Sequence, residues 1–203
     1  LLGGKPLINY TLDNLIKSNL FETIHVSSDK DLKNILSKYK NIDNFLRPKN
    51  ISNDKTILDD VIKWVLKEYF KKGKKFDVVC LAYATSPLIN HKDFILASKS
   101  FEKTNLKIPM LSVAEFKPSI DEALTYKNNK LTPVYKDNFF KDSKEHKKFY
   151  YDTASFIFFS SKYFEKERKE KKFLKYELDR FKGIDLNDLK DFKLIELIYK
   201  NNK

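Results

Sequence analysis

Three short stretches of this sequence combine residue types able to handle a charged ligand. In Tyr83-Ala84-Thr85-Ser86-Pro87-Leu88 two adjacent hydroxyls leave an apolar run and Pro87 fixes φ behind them. Tyr83, Thr85 and Ser86 are then donors on a rigid turn, suited to a phosphate, a ribose or a base edge; the competing reading is an ordinary Ser/Thr turn capping a helix. Arg47, pinned by Pro48, is a candidate phosphate clamp, against the alternative of a surface ion pair. Asp185 and Asn187, two residues apart after Gly183, offer oxygens that can share a hard cation; Mg²⁺ takes one or two carboxylates plus substrate phosphates. The same residues also make simple turns and caps. His25, His91 and His146 are scattered without zinc-ligand spacing, and Cys80 reads as packing. Neither a Walker-type loop nor a nucleophile elbow occurs.

Elements must hold these stretches in place, and the hydrophobic periodicity supplies them. Leu12, Leu15 and Ile16 follow helical spacing, and Thr23 to Ser27 alternates as a strand stopping at Ser28-Asp29. A helix carrying Leu32, Ile35, Leu36 and Tyr39 follows, and another runs from Ile57 to Phe70. Val78-Val79-Cys80-Leu81 is apolar on both faces, as in a central parallel strand covered on both sides. Phe94, Ala97, Ser98 and Phe101 predict a helix, and Met110 to Ala114 a buried strand. This alternation predicts an α/β fold with a doubly wound, mostly parallel sheet, whose ligands bind at the carboxyl ends of the strands. Leu124-Thr125-Tyr126 and Leu131 to Tyr135 flank a hairpin turn, and Lys136 to Lys148 reads as a long loop or excursion. Ala154 to Phe159 returns as a strand, Glu165 to Lys172 reads as a solvated helix, and a last helix from Leu189 to Lys200 buries Phe192, Ile195 and Tyr199.

Composition narrows the class. A chain of 203 residues fits a single domain, and its 41% hydrophobic content excludes a wholly disordered one. No run approaches the ~18 apolar residues of a membrane span, and the lone Cys80 favours a reducing compartment, so a cytoplasmic protein is expected. Forty Lys and Arg against 28 Asp and Glu leave a net charge of +12, which invites a nucleic-acid reading. Only Arg47, Arg168 and Arg180 are arginine, the residue preferred for bidentate phosphate and base contacts, and this argues against a dedicated nucleic-acid binder. An anionic small substrate remains compatible with the charge.

Taken together, five motifs resemble a known family. Gly4-Lys5-Pro6-Leu7-Ile8, Val26-Ser27-Ser28-Asp29 and Arg47-Pro48-Lys49-Asn50-Ile51-Ser52-Asn53-Asp54 resemble consecutive motifs of the cytidylyltransferases that activate nonulosonic acids, the CMP-sialic acid synthetases and their relatives. Ala84-Thr85-Ser86-Pro87-Leu88 and Asp185-Leu186-Asn187-Asp188-Leu189-Lys190-Asp191-Phe192 continue the match in order, so the resemblance spans Gly3 to Tyr199. Tyr83 to Pro87, Tyr150-Tyr151-Asp152-Thr153-Ala154-Ser155-Phe156 and Pro118 to Leu124 look most like the pseudaminic acid branch.

The resemblance implies a Rossmann-like nucleotidyltransferase fold, one domain over residues 1–203, and a homodimer built partly from an excursion over 117–148. It implies a reaction of CTP with a nine-carbon 2-keto sugar acid, with Mg²⁺, giving the CMP-sugar and pyrophosphate. By the same match Tyr83, Thr85 and Ser86 line the cytidine site, Arg47 contacts nucleotide, Asp185 and Asn187 hold the metal, and Asp152 faces the sugar. It also implies a first strand and a glycine-rich basic loop ahead of Leu1. Tyr83 stands where sialic acid synthetases carry glutamine, Asn187 replaces a second aspartate, and Asp142 occupies the place of an expected arginine. Two other classes fit less of the chain: a non-catalytic nucleotide-binding relative, and a basic α/β protein that binds nucleic acid. The enzyme reading requires that the Tyr83–Leu88 turn and the Asp185 bend face one crevice.

Overall fold

A computed structural model describes residues 1–165 and 172–201 of the chain. Helix α1 (Leu7–Ser18) leads to the short strand β1 (Ile24–His25), a single turn α2 (Lys33–Leu36), the short strand β2 (Ile42–Asp43) and helix α3 (Leu58–Lys71). Strand β3 (Val78–Ala82), helix α4 (His91–Glu102) and strand β4 (Met110–Glu115) follow. The hairpin β5 (Leu124–Lys127) and β6 (Lys130–Pro133), the turn α5 (Lys136–Phe139), the long strand β7 (Tyr150–Ser160), strand β8 (Leu174–Glu177) and helix α6 (Leu189–Asn201) complete it.

Local chemistry accounts for the helices that matter. Asn90 caps α4 by accepting from the backbone N–H groups of Lys92 and Asp93, while the Asp93 carboxylate accepts from Asn90 N: a capping box. Phe94, Ala97 and Phe101 then form its buried stripe, packed with Met110, Phe156, Phe158 and Leu178 in the main core. Helix α3 starts with Asp59 and Asp60 and ends at Lys71, charges that complement its dipole. Helix α1 stops where Asn19 turns left-handed at φ 51°.

The main sheet has four strands in the order β3-β7-β4-β8. β3, β4 and β8 run in one direction, and β7 lies antiparallel between β3 and β4. The α/β class is as expected, with three of four strands codirectional. Among the described residues the run Val78–Leu81, expected as a central strand, has a strand on one side only. Its outer edge faces a cavity of about 380 Å³, across which lies β1, paired in parallel with β2. Consecutive residues of both strands, Ile24 to Val26 and Val78 to Ala82, line this space, as the free edges of two strands do. Leu12, Leu15, Val61, Ile62, Val65 and Leu66 from α1 and α3 close it with apolar surface.

Some elements differ from expectation. The helix expected to reach Tyr39 ends at Leu36, because Tyr39 leaves it to donate a hydrogen bond to Asp13 Oδ1 at 2.6 Å. The strand expected over Thr23–Ser27 contains only Ile24 and His25, while β2 and β8 had no sequence signal. The charged segment expected as a helix over Glu165–Lys172 falls largely outside the described residues. The 117–148 excursion is partly ordered by the buried Asp121 carboxylate, which accepts from Asn138 Nδ2 at 3.0 Å and Lys147 N at 3.2 Å. Its hairpin turns on Asn128 and Asn129, both with positive φ, as a two-residue turn between twisted strands requires. Among the described residues no helix is long and apolar enough to cross a membrane.

Candidate active site

The turn after β3 is tied to β7 at two points. Tyr83 N donates to Ser155 O at 2.9 Å, and the Ser86 hydroxyl donates to Ala154 O at 3.1 Å. From the other side, Thr11 Oγ1 on α1 donates to Tyr83 O at 3.1 Å. These carbonyls are available because β7 bulges there. The register slips between Leu111 and Val113, and Ala154 takes a left-handed φ of 46°. Ser112 holds the bulge: its Oγ accepts from Phe156 N at 3.0 Å, and Thr153 Oγ1 donates to Ser112 O at 3.1 Å. Asp152, at the start of the bulge, accepts from Ala154 N at 2.8 Å and stays exposed.

The second piece is the bend between β8 and α6. Leu178 N donates to Val113 O, continuing the β4–β8 ladder, and a turn follows in which Lys182 N and Gly183 N both donate to Asp179 O. Gly183 lies so close to β7 that an added Cβ would stand 2.4 Å from Thr153 Cγ2. Ile184 and Leu186 join Leu88 in one apolar cluster around Leu2, Tyr10 and Ile195. Between them Asp185 is half-buried, and Asn187 Nδ2 donates to its Oδ2 at 3.0 Å. Asp188 caps α6 by accepting from Lys190 N and Asp191 N, and Asp191 accepts in return from Asp188 N.

The two pieces meet where Leu88 packs in one cluster with Ile184 and Leu186, which brings the bend alongside the turn after β3. Burial pushes the Tyr83 phenol above its ordinary pKa, and the charges of Asp152, Asp185 and Asp59 push it further. Three carboxylates thus act on one phenol, which stays protonated and able to donate at neutral pH. Arg47 and Tyr83 border the same cavity mouth, together with Thr11 and Ser27. Arg47 N donates to Ser28 O at 2.9 Å, its Nη2 stands 3.9 Å from Asp29 Oδ1, and its buried Nε has no hydrogen-bond partner among the described residues.

Of the residues singled out in the sequence, Tyr83 and Arg47 line one cavity, the charges of Asp152 and Asp185 act on Tyr83, Asn187 bonds Asp185, and Thr85 is half-buried in the turn after β3. Ser86 is only 5% exposed, and its hydroxyl donates to Ala154 O, anchoring the turn to β7. Asn187 presents its amide nitrogen, not its oxygen, to Asp185. Asp59, Thr11 and the bulge at Ala154 were not foreseen. Asp59 looks like an ordinary first-turn acid, and a bulge leaves no mark in a single sequence. No group of three or more His, Cys, Asp or Glu able to hold a metal ion occurs among the described residues, so a cation here would draw most of its ligands from substrate or water. Cys80 lines the cavity, its thiol pKa raised by burial, which leaves it an inert packing residue.

The sequence profile described as cytidylyltransferase matches residues 1–203. Pseudaminic acid cytidylyltransferase of Campylobacter jejuni is 28% identical over 203 residues, covering 98% of this chain and 87% of that protein. N-acylneuraminate cytidylyltransferase of Escherichia coli is 25% identical over 221 residues, covering all of this chain and 48% of the larger protein. A solved structure of CMP:2-keto-3-deoxy-manno-octonic acid synthetase complexed with CTP superposes with a TM-score of 0.69 at 8% identity, covering 100% of this chain and 91% of that one. A 4-diphosphocytidyl-2C-methyl-D-erythritol synthase superposes at 0.70 with 9% identity, covering 98% and 92%. At those identities the structural likeness speaks for the fold. The profile match over the whole chain makes it a nucleotidyltransferase belonging to the cytidylyltransferase family.

Proposed function

We propose that the protein joins CTP to a nonulosonic acid of the pseudaminic, legionaminic or sialic type, releasing pyrophosphate and the CMP-sugar. The anomeric hydroxyl attacks the α-phosphorus in line, the bond to the β-phosphate oxygen breaks, and the hydroxyl proton passes to water. No covalent enzyme intermediate is needed, so the work is orientation and charge stabilisation. What supports this reading is the cytidylyltransferase profile over residues 1–203, together with Tyr83, which lines one cavity with Arg47 and feels the charges of Asp152 and Asp185; the turn after β3 and the bend before α6 are then the two walls of one crevice.

Each residue has a part. Tyr83 and Thr85 meet the cytidine, and Ser86 keeps their turn rigid. Arg47, with its partnerless Nε, contacts phosphate. Asp152 orients the sugar from the exposed start of the bulge. Asp185, half-buried, and the exposed Asn187 beside it, once its amide turns, would hold Mg²⁺ by hard oxygen donors, and the ion would supply positive charge to offset that of the departing pyrophosphate. All four residues of β5 are exposed, and Leu131 and Val134 beside it are also open to water. A lone hairpin is marginal in water, so a second copy of the chain covers it in a homodimer. The lone thiol and the nucleotide requirement suit the cytoplasm.

The test is pyrophosphate release from CTP and each nonulosonic acid, with and without Mg²⁺, on a chain that includes its upstream segment. Release confined to CTP and one such sugar acid is expected. Release that survives Asp185→Ala unchanged, or no release with any sugar acid, overturns the assignment.

A further inference from the structure

The bend carrying Asp185 is joined by one ionic contact to the helix that follows the Tyr83–Leu88 turn. Lys182 Nζ donates to both carboxylate oxygens of Asp93, at 2.9 and 3.0 Å. The Asp93 side chain is 9% exposed and that of Lys182 35%, so the pair is largely screened from water. Asp93 is already engaged: its Oδ2 accepts from Asn90 N at 2.9 Å in the capping box that starts α4. That end of α4 is in turn held to α1, where Asn14 Oδ1 accepts from His91 N at 3.0 Å. On the other side of the pair, the next residue after Lys182 is Gly183, pressed on Thr153, and Asp185 lies two residues further.

We propose that Asp93 and Lys182 are a positioning pair that sets the spacing between the Tyr83–Leu88 turn and Asp185. Both act through what they hold. Between its ends, fixed by Leu178 N donating to Val113 O and by Asn187 N donating to Asp191 Oδ2, the bend is packed by Ile184 and Leu186 in the cluster with Leu88 and by the close approach of Gly183 to Thr153, contacts that resist separation but allow sliding. A two-pronged charged contact to the fixed first turn of α4 has a defined direction and opposes that sliding. Asp93 needs the ammonium in any case, because a carboxylate this buried is costly without a cation. The proposal rests on the assignment of Asp185 to the metal-dependent reaction, and the positional half of it can be read without activity.

The decisive variants are Lys182→Met, Lys182→Arg and the double variant Asp93→Asn with Lys182→Met. The double variant leaves no unpaired buried charge and keeps an acceptor for Asn90 N, so it separates loss of position from loss of stability. In the double variant, thermal unfolding should stay within a few degrees of the parent chain. Amide hydrogen exchange over residues 179–187 should accelerate at least tenfold while β7 is unchanged. The Mg²⁺ concentration for half-maximal pyrophosphate release should rise at least tenfold with KM for CTP little altered, and Lys182→Arg should recover most of the loss. Unchanged exchange over 179–187 in the double variant overturns the proposal, as does an unchanged Mg²⁺ requirement. If the parent chain itself releases no pyrophosphate, the functional assignment fails, and the exchange comparison still decides whether the pair holds the bend.

Discussion

Gly183→Ala puts a single methyl group into the joint between the bend and β7, and its cost can be worked from the coordinates. The new Cβ would stand 2.4 Å from Thr153 Cγ2, 3.1 Å from Thr153 Cβ and 3.5 Å from Ala114 Cβ. Thr153 cannot swing aside without loss, because it is fully buried and its hydroxyl donates to Ser112 O. Overpacking of this kind costs about 1–3 kcal/mol. Gly183 does not have a positive φ, so alanine adds no backbone strain, and a stiffer unfolded chain returns roughly 0.4–1 kcal/mol. The net loss is then about 1–2 kcal/mol, which at ~2–4 °C per kcal/mol for a chain of this size lowers Tm by roughly 2–8 °C. Since the bend carries Asp185, turnover should fall by more than stability does. Thr153→Ser removes the clashing Cγ2 and keeps the hydroxyl, so Gly183→Ala with Thr153→Ser should recover part of the loss, the 3.1 Å contact remaining. Differential scanning calorimetry on all four members of the cycle reads the coupling. Additive effects of the two substitutions, or an alanine variant as stable as the parent, would refute the reasoning.

Three further outcomes are expected. Asp185→Asn keeps the shape of the bend but removes its charge; pyrophosphate release should drop by ~10²-fold or more, with an unchanged circular dichroism spectrum. His25 packs on Phe45 and lies 3.2 Å from the Tyr69 hydroxyl; burial lowers its pKa from 6.5 to about 4, Lys72 adding to this and Asp43 opposing it. The unfolded chain therefore takes up this proton first as pH falls, and stability is lost between pH 6.5 and 4. About 2 kcal/mol is expected after allowing for partial exposure, read as the pH dependence of the urea midpoint and absent in His25→Gln. Ala154→Gly relieves the left-handed φ of 46° and should raise stability by up to ~1 kcal/mol in the same assay, offset in part by glycine's greater chain entropy.

What could be read from the residues was whatever depends on a local pattern. The stripe Phe94, Ala97, Ser98, Phe101 announces α4, and Val78 to Leu81 announces β3, because burial patterns repeat over a few residues. The turn at Tyr83–Leu88 and the bend at Asp185 were legible for the same reason. The order of strands was not: Val78–Leu81 is apolar on both faces because helices and a slot flank it, which a single strand's pattern cannot tell from a central position. The direction of the Ser86 hydroxyl was not legible, because a hydroxyl next to a proline looks the same whether it turns outward or, as here, back to a strand 68 residues away. The bulge that makes Ala154 O available to it arises from pairing β7 against β4, a relation between distant segments.

The charge distribution bears on which class of ligand the crevice serves. A chain with a net charge of +12 has ample lysine with which to meet phosphate, and a nucleic-acid groove would gather that charge where the ligand lies. Around Tyr83 the chain does the opposite, bringing the charges of Asp152, Asp185 and Asp59 to bear on one phenol. Carboxylates facing a triphosphate and a sugar acid repel both unless a cation lies between them, so a crevice of this kind favours a metal-bridged small anion over a bare phosphate backbone. The surplus lysine then acts at longer range, raising the local concentration of anionic substrates, an effect that salt should weaken through the apparent KM for CTP while leaving kcat nearly unchanged. A salt titration of both constants separates the roles: a fall in kcat equal to the rise in KM would mean that lysines, not the carboxylate crevice, stabilise the transferring phosphoryl group.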